Sequence, residues 1–420
     1  MLRRLSLLLA LPLLAFAAKS TPQQLIDLAK NPADPAFEKA IRDTFPASQL
    51  NNGAAIAGEG ANFFWALESA TPAETVIDDN LFGTMRRLPN TQLTYLFGQL
   101  STGRSHRFIF QASGKVIAEK NDVPAYGPYS YEKPGIPKGT LSEKIVSTST
   151  VYPGMETEWW IYAPAQYDAA KPAALMVWQD GQGMIDRNGS ARAGIVFDNL
   201  TAEGKIPVMI HVFIAPGKVG TKAMRSIEYD TVNADYVKFL ETDIYPEVMK
   251  RYKVRTDAYS HAIAGNSSGG ICAFNAAWMR NDAFTRVLSR IGSFTSIQWH
   301  PGQIDGGNVY PFKIRKEPKH NIRTWLQDGS EDLENQFGSW PLQNIQMANS
   351  LKREGYDFHL SFGNGTHNGA HGNSELPQEM IWLWRGYDPA KSEETFAQEQ
   401  AEKDNPTFYR IKTLTREAIK

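Results

Sequence analysis

The hydrophobic rhythm of the chain changes twice. In TPQQLIDLAK and AFEKAIRDTF the apolar residues recur at helical spacing, which predicts a helical lead segment over residues 18–50. From about Ala54 the spacing shortens. ANFFWALES, AETVIDD, TQLTYLFGQL and HRFIFQAS are β-rich runs separated by turn residues, the pattern of a small β-sandwich over 51–122. NDVPAYGPYSYEKPGIPKGT, rich in Pro, Gly and Tyr, predicts a linker over 123–140 lying along the surface.

From about Leu141 the rhythm changes again. ETEWWIYAP, AALMVWQDG, PVMIHVFIAPG, SHAIAG, NIRTWLQDGSED and YDFHLSFGNGTH predict strands, several of them continuous apolar runs that end in Gly turns. DYVKFLETDIYPEVMKRY, ICAFNAAWMR and LPQEMIWLWRGY predict helices. Buried strands alternating with helices imply an α/β domain over 141–388, with a mostly parallel sheet covered on both faces. Chemistry is then expected in loops at the carboxyl ends of strands. Residues 389–420 form a C-terminal extension. No internal repeat or low-complexity tract interrupts this order.

Composition narrows the function. The 420 residues are 42% hydrophobic and 21% charged, with a net charge of −1. That balance gives no basic footprint for nucleic acid and no polybasic block for anionic membrane. A small or neutral partner is expected; oligomeric state is not legible. The start, MLRRLSLLLALPLLAFAAKS, has Arg3 and Arg4 before an apolar core and small residues at Ala15 and Ala17. It predicts a cleaved secretory signal over 1–17 and a secreted protein, with no membrane span. The single cysteine, Cys272, allows no intrachain disulfide. Asn188, Asn199 and Asn364 match the glycosylation sequon, which matters only in a glycosylating host.

The candidate chemistry centres on AIAGNSSGGICAF. Gly265-Asn266-Ser267-Ser268-Gly269 fits G-x-S-x-G between a predicted strand and a predicted helix, the context of a nucleophile elbow. So tight a turn needs very small residues two before and two after the nucleophile. Ser267 has Gly265 and Gly269 there, whereas Ser268 would have Asn266 and Gly270. Ser267 is therefore the predicted nucleophile, and the Ser268 N–H a predicted oxyanion donor. The second donor is expected in QDGQG, from Gly181 or Gln182, with Gln182 preferred.

A serine needs a base, and in this chain order an acid comes before the histidine. His367, in the Gly/Asn-rich loop GNGTHNGAHG, is the predicted base. His371 is the alternative, and His359 reads as a strand residue. The acid is expected in DGSED: Asp332 first, then Asp328, then Glu331. His367 and His371 have the i, i+4 spacing of metal ligands on a helix. Gly369 and Gly372 argue against a helix, and no third ligand is evident, so neither metal nor cofactor is expected.

GNSSGG, QDGQ, GSEDL and GTHNGAHG…LPQEMIWLWRGY together resemble the putative-esterase family of α/β-hydrolases, over about Leu141 to Tyr387. That family includes enterochelin esterases, feruloyl and acetylxylan esterases, and mycolyltransferases. The N-terminal β segment is similar to the immunoglobulin-like or starch-binding-like domain that precedes many of them. The resemblance implies an α/β-hydrolase with Ser267, Asp332 and His367 as nucleophile, acid and base. It also implies that RSIEYD lines the cleft, so that Arg225, Glu228 and Tyr229 either touch substrate or tie a loop. The expected activity is serine carboxylic ester hydrolysis, with a carbohydrate-linked acyl or aryl ester ranked above a siderophore lactone. Acyl transfer, or binding alone on a hydrolase scaffold, are the alternatives. Trp159, Trp160, Trp178, Trp299 and Trp340 are candidate platforms for a sugar or an aromatic acyl group, or else core.

Overall fold

The computed structural model describes residues 19–404; the secretory signal expected over 1–17 lies outside the described residues. The chain divides into two compact units. Among the described residues, one comprises 19–100 together with 108–120, the other 101–107 together with 121–404.

The first unit opens with helices α1 (Pro22–Leu28), α2 (Pro35–Thr44) and α3 (Ala47–Asn51). Thr21 caps α1 with a reciprocal Gln24 bond, and Asp34 caps α2. The strands are β1 (Ile56–Glu59), β2 (Asn62–Glu68), β3 (Glu74–Ile77), β4 (Asn80–Thr84), β5 (Arg86–Arg87), β6 (Leu93–Gln99), β7 (Arg104–Ala112) and β8 (Lys115–Ala125). They form two antiparallel sheets, ordered β1-β2-β6-β5 and β4-β3-β7-β8. Strand β2 is buried on both faces because each is covered by something different. Phe64 and Ala66 pack with Leu25, Phe37, Ile41 and Tyr95 under the helices, while Phe63 and Trp65 meet Phe108. The lead helices are thus part of this unit's core.

In the second unit, short β9 (Thr140–Leu141) and β10 (Ile145–Thr148) pair with β11 (Glu156–Ala163). There follow β12 (Ala174–Gln179), α4 (Ala193–Ala202), β13 (Met209–Ile214) and the hairpin of β14 (Lys218–Val219) and β15 (Lys222–Ala223). Helices α5 (Arg225–Tyr229), α6 (Asp235–Phe239) and α7 (Tyr245–Arg251) lead to β16 (His261–Asn266), α8 (Ser268–Met279) and β17 (Arg286–Arg290). The unit continues with α9 (Tyr310–Lys316), β18 (Arg323–Glu331), the hairpin of β19 (Glu334–Asn335) and β20 (Gly338–Ser339), α10 (Trp340–Arg353), β21 (Asp357–Thr366) and α11 (Ala370–Leu383).

Among the described residues the sheet runs β15-β14-β11-β13-β12-β16-β17-β18-β21, with β12 to β21 parallel to their neighbours and β11 antiparallel to β13. Separate apolar clusters cover its two faces, one including α8 and the other α4 and α11. This is the α/β-hydrolase architecture, preceded by a small β domain.

Two details depart from the sequence reading, and a third refines it. Strand β17 went unread, since Arg286, Ser289 and Arg290 are buried polar residues that break its apolar run. The closing helix begins at Ala370, despite Gly372, and carries Pro377 inside it. The Pro/Tyr-rich segment packs along α4: Asn199 donates to the Tyr129 and Tyr131 carbonyls at 2.9 Å each, and Tyr126 donates to the Ser190 carbonyl at 2.6 Å.

Candidate active site

Five strand ends build the site, all at the carboxyl edge of the parallel sheet. Strand β16 delivers the tight turn, and α8 starts at Ser268. Ser267 stands between them at φ 59°, ψ −121°, a backbone state that costs on the order of 1–3 kcal/mol in a residue with a Cβ. The surroundings enforce it. The Ser267 N–H donates to the Arg290 carbonyl at 2.9 Å, and its carbonyl accepts from Gly270, Ile271 and Ser293. A Cβ on Gly265 would lie 2.5 Å from the Gly269 backbone, so strand and helix meet there without room for a methyl group.

The loops after β18 and β21 face this turn. The two strands run parallel until their register shifts between Gly329 and Glu331, after which Glu331 pairs with Thr366. The next residues are Asp332 and His367, set side by side. His367 Nδ1 lies 2.5 Å from Asp332 Oδ1, and His367 Nε2 lies 2.8 Å from Ser267 Oγ. A carboxylate only accepts, so Nδ1 carries the ring proton and Nε2 is left to accept from the serine. Asp122 steadies the loop, its carboxylate accepting from the Thr366 N–H at 3.0 Å and from the Thr366 hydroxyl.

The loop after β17 adds a contact the sequence reading missed. Ser293 Oγ lies 3.2 Å from Ser267 Oγ and accepts from Trp340 Nε1 at 3.1 Å. Both residues are buried. They are far apart in sequence, and no local motif marks either.

The loop after β12 holds the predicted second oxyanion donors. Asp180 has a left-handed backbone at φ 52°, and Gly181–Gly183 make a single 3₁₀ turn. Gly181 is buried and Gln182 exposed. Arg225 grips Asp180 through two hydrogen bonds of 2.8 and 2.7 Å and reaches the Asn266 carbonyl at 3.3 Å. The guanidinium therefore joins this loop to the serine turn. Tyr229 is fully buried, its hydroxyl accepting from the Asp180 N–H at 3.4 Å. Buried Glu228 accepts from the Gly217 N–H at 2.8 Å. These three residues tie loops, and the partner of Arg225 is Asp180, not Glu228.

Burial pushes the Glu228 carboxyl up to about 7. It pushes Asp230 up to about 6, against the opposing hydroxyls of Ser226 and Ser268. Asp230, beneath Ser268, also escaped the sequence reading.

The alternative candidates sit elsewhere. His371 is buried and pairs with Glu375 at 2.8 Å. His359 packs on Trp325 with ring centroids 4.0 Å apart. Glu331 is exposed, and Asp328 is fully buried behind Asp332. Of the tryptophans, Trp159, Trp178 and Trp340 are core, whereas Trp299 is 48% exposed. Trp299 lines a groove of about 510 Å³ with Thr231, His300, Gln303 and Asp305. The neighbouring Gln298 donates to Ser226 Oγ at 2.9 Å, which in turn donates to Asp230.

Among the described residues, no helix is long and apolar enough to cross a membrane. Residues 150–383 match the family model described as putative esterase. An endo-1,4-beta-xylanase/feruloyl esterase of Xylanibacter ruminicola is 29% identical over 164 residues, 39% of this chain and 20% of that protein. The chain thus matches about a fifth of that relative's length. Two solved structures share the fold. The enterobactin esterase from Shigella flexneri, in the presence of 2,3-dihydroxy-N-benzoyl-glycine, aligns with a TM-score of 0.50 at 17% identity, covering 77% of this chain and 93% of that one. The ferric enterobactin esterase from Salmonella typhimurium aligns with a TM-score of 0.52 at 15% identity, covering 79% and 96%.

Proposed function

The chain belongs to the putative esterase family, and we propose that it is a secreted serine ester hydrolase using Ser267, His367 and Asp332. The observation that carries this reading is the continuous contact from Ser267 Oγ through His367 to Asp332, at 2.8 and 2.5 Å. In this mechanism Ser267 Oγ attacks the ester carbonyl carbon while His367 Nε2 takes the hydroxyl proton. The tetrahedral oxyanion receives hydrogen bonds from the Ser268 N–H and from the N–H of Gln182 or Gly181, near the positive end of α8. Collapse breaks the bond to the alcohol, which leaves with the proton from His367. Water, deprotonated by the same histidine, then releases the acid and restores Ser267.

For the substrate we favour an acyl or aryl ester linked to carbohydrate. The feruloyl esterase relative supports that choice, as does the exposed Trp299 in a groove with polar side chains, the combination that suits a sugar ring. A panel of acetyl, feruloyl and siderophore-lactone esters tests the substrate class. Ser267→Ala and Ser268→Ala test the nucleophile. The first should abolish turnover and labelling by a fluorophosphonate, with a loss on the order of 10⁶ in kcat. The second keeps the backbone donor and should stay labelled. Labelling that survives in Ser267→Ala would overturn the reading.

A further inference from the structure

The mechanism above leaves the carboxyl of Asp328 unused. It lies on β18, fully shielded from solvent. Its Oδ1 accepts from the Gly329 N–H at 2.8 Å, and its Oδ2 is buried with no donor. On Asp332, Oδ1 takes the hydrogens of His367 Nδ1 and the Leu333 N–H, and Oδ2 is likewise buried with no donor. The two carboxyl groups are within hydrogen-bonding reach of each other, and the amide of Asn344 on α10 also faces Asp328.

Two carboxylates in such a place cannot both be ionised. One proton between them satisfies both orphaned oxygens. It belongs on Asp328, because Asp332 faces His367 and must stay negative to hold Nδ1–H and the imidazolium that forms. We propose that Asp328 is a neutral carboxylic acid that donates its hydrogen to Asp332, and so acts as a fourth, positioning residue of the catalytic array. The catalytic part of this inference rests on the Ser267–His367–Asp332 reading; the shared proton does not. Burial and the Asp332 charge both act in the required direction, holding the Asp328 acid well above the usual carboxylate range.

The hydrogen bond has two effects. It fixes the Asp332 carboxyl plane, so that Oδ1 points at His367. It also draws off part of the Asp332 charge that faces His367.

Three variants test this. Asp328→Ala should lower kcat by about 10- to 100-fold, with little change in KM, and should move the acid limb of the kcat/KM profile to higher pH. Asp328→Asn should restore most of that loss and return the limb, because its amide can donate to Asp332 while its oxygen accepts from Gly329. An ionised Asp328 gives the opposite result: asparagine then removes a charge near His367, and the limb moves to lower pH. An Asp328→Asn enzyme as damaged as Asp332→Asn would likewise overturn the proposal.

Thermal melting in the inactive Ser267→Ala background gives a readout independent of catalysis. The folded chain holds the Asp328 proton above the pH at which the unfolded chain loses it. The parent therefore loses stability as pH rises from the ordinary aspartate range toward the folded value. Asparagine has no proton to lose, so the melting temperature of Asp328→Asn minus that of the parent should increase from pH 5 to pH 8. A flat or falling difference would show Asp328 ionised in the fold and would overturn the proposal, even if probe labelling upholds Ser267. Should Asp328→Ala fail to fold, the two asparagine measurements decide.

Discussion

Trp340 gives its only indole hydrogen to Ser293 Oγ, at 3.1 Å. The Ser293 hydroxyl keeps a second lone pair and its own hydrogen, and lies 3.2 Å from Ser267 Oγ. Ser267 in turn has its hydrogen free for His367 Nε2. Because the Ser267 hydrogen goes to His367 Nε2, the hydrogen shared between the two serines is the one Ser293 donates.

Ser293→Ala should therefore lower kcat by about 10-fold, with KM nearly unchanged, since the hydroxyl orients the nucleophile. Trp340→Phe should do about the same while keeping the ring edge against His367. The double variant should cost little more than either single one. Additive losses in steady-state kinetics would mean that the two residues do not act in series.

Arg225→Ala should lower kcat by about 10- to 100-fold. The guanidinium holds Asp180 and the Asn266 carbonyl together, and with them the loop of Gly181 and Gln182. Arg225→Lys should rescue poorly, because lysine lacks the two-pronged geometry. The check is kcat/KM on a small aryl acetate; rescue to near wild-type rate by lysine would rule out the loop-positioning role.

Trp299→Ala should raise KM for a feruloylated or acetylated oligosaccharide about 5- to 10-fold. It should leave methyl ferulate and aryl acetate within about twofold, because no triad residue lines the groove and remote contacts help only a substrate long enough to reach them. Equal effects on both kinds of substrate would remove the groove from substrate binding.

Stability should decline as pH rises from about 5 to 8. Glu228, pushed up to about 7, and Asp230, pushed up to about 6, hold protons in the folded chain that the unfolded chain has already lost. Their contribution is full below the ordinary carboxylate range and disappears as pH climbs through the folded values. Glu228→Gln should flatten the slope, by on the order of 2–3 kcal/mol across that window. Melting curves at several pH values measure this directly.

The serine turn was legible because its constraint is local: two glycines flank one residue at a fixed offset. His367 was legible because its loop follows a strand rich in apolar residues. The contacts of Ser293, Trp340 and Asp230 were not, since they reach Ser267 and Ser268 only through tertiary folding and carry no spacing signal, although Trp340 and the RSIEYD segment were already candidates. Strand β17 was hidden for a related reason. Its buried Arg290 is held by Glu379 from α11, so a polar letter occupies an interior place. Helix α10 hid likewise, with Asn344 and Ser350 buried beside Met347 and Leu351.

The missing methyl's width between Gly265 and Gly269 also bears on heredity. Every amino-acid replacement that one base change can make in a glycine codon adds a side chain, and at Gly265 that side chain meets the Gly269 backbone. The turn is therefore a landmark for aligning this chain with distant relatives, and laboratory evolution of new substrates should leave it out of its libraries together with Asp332 and His367.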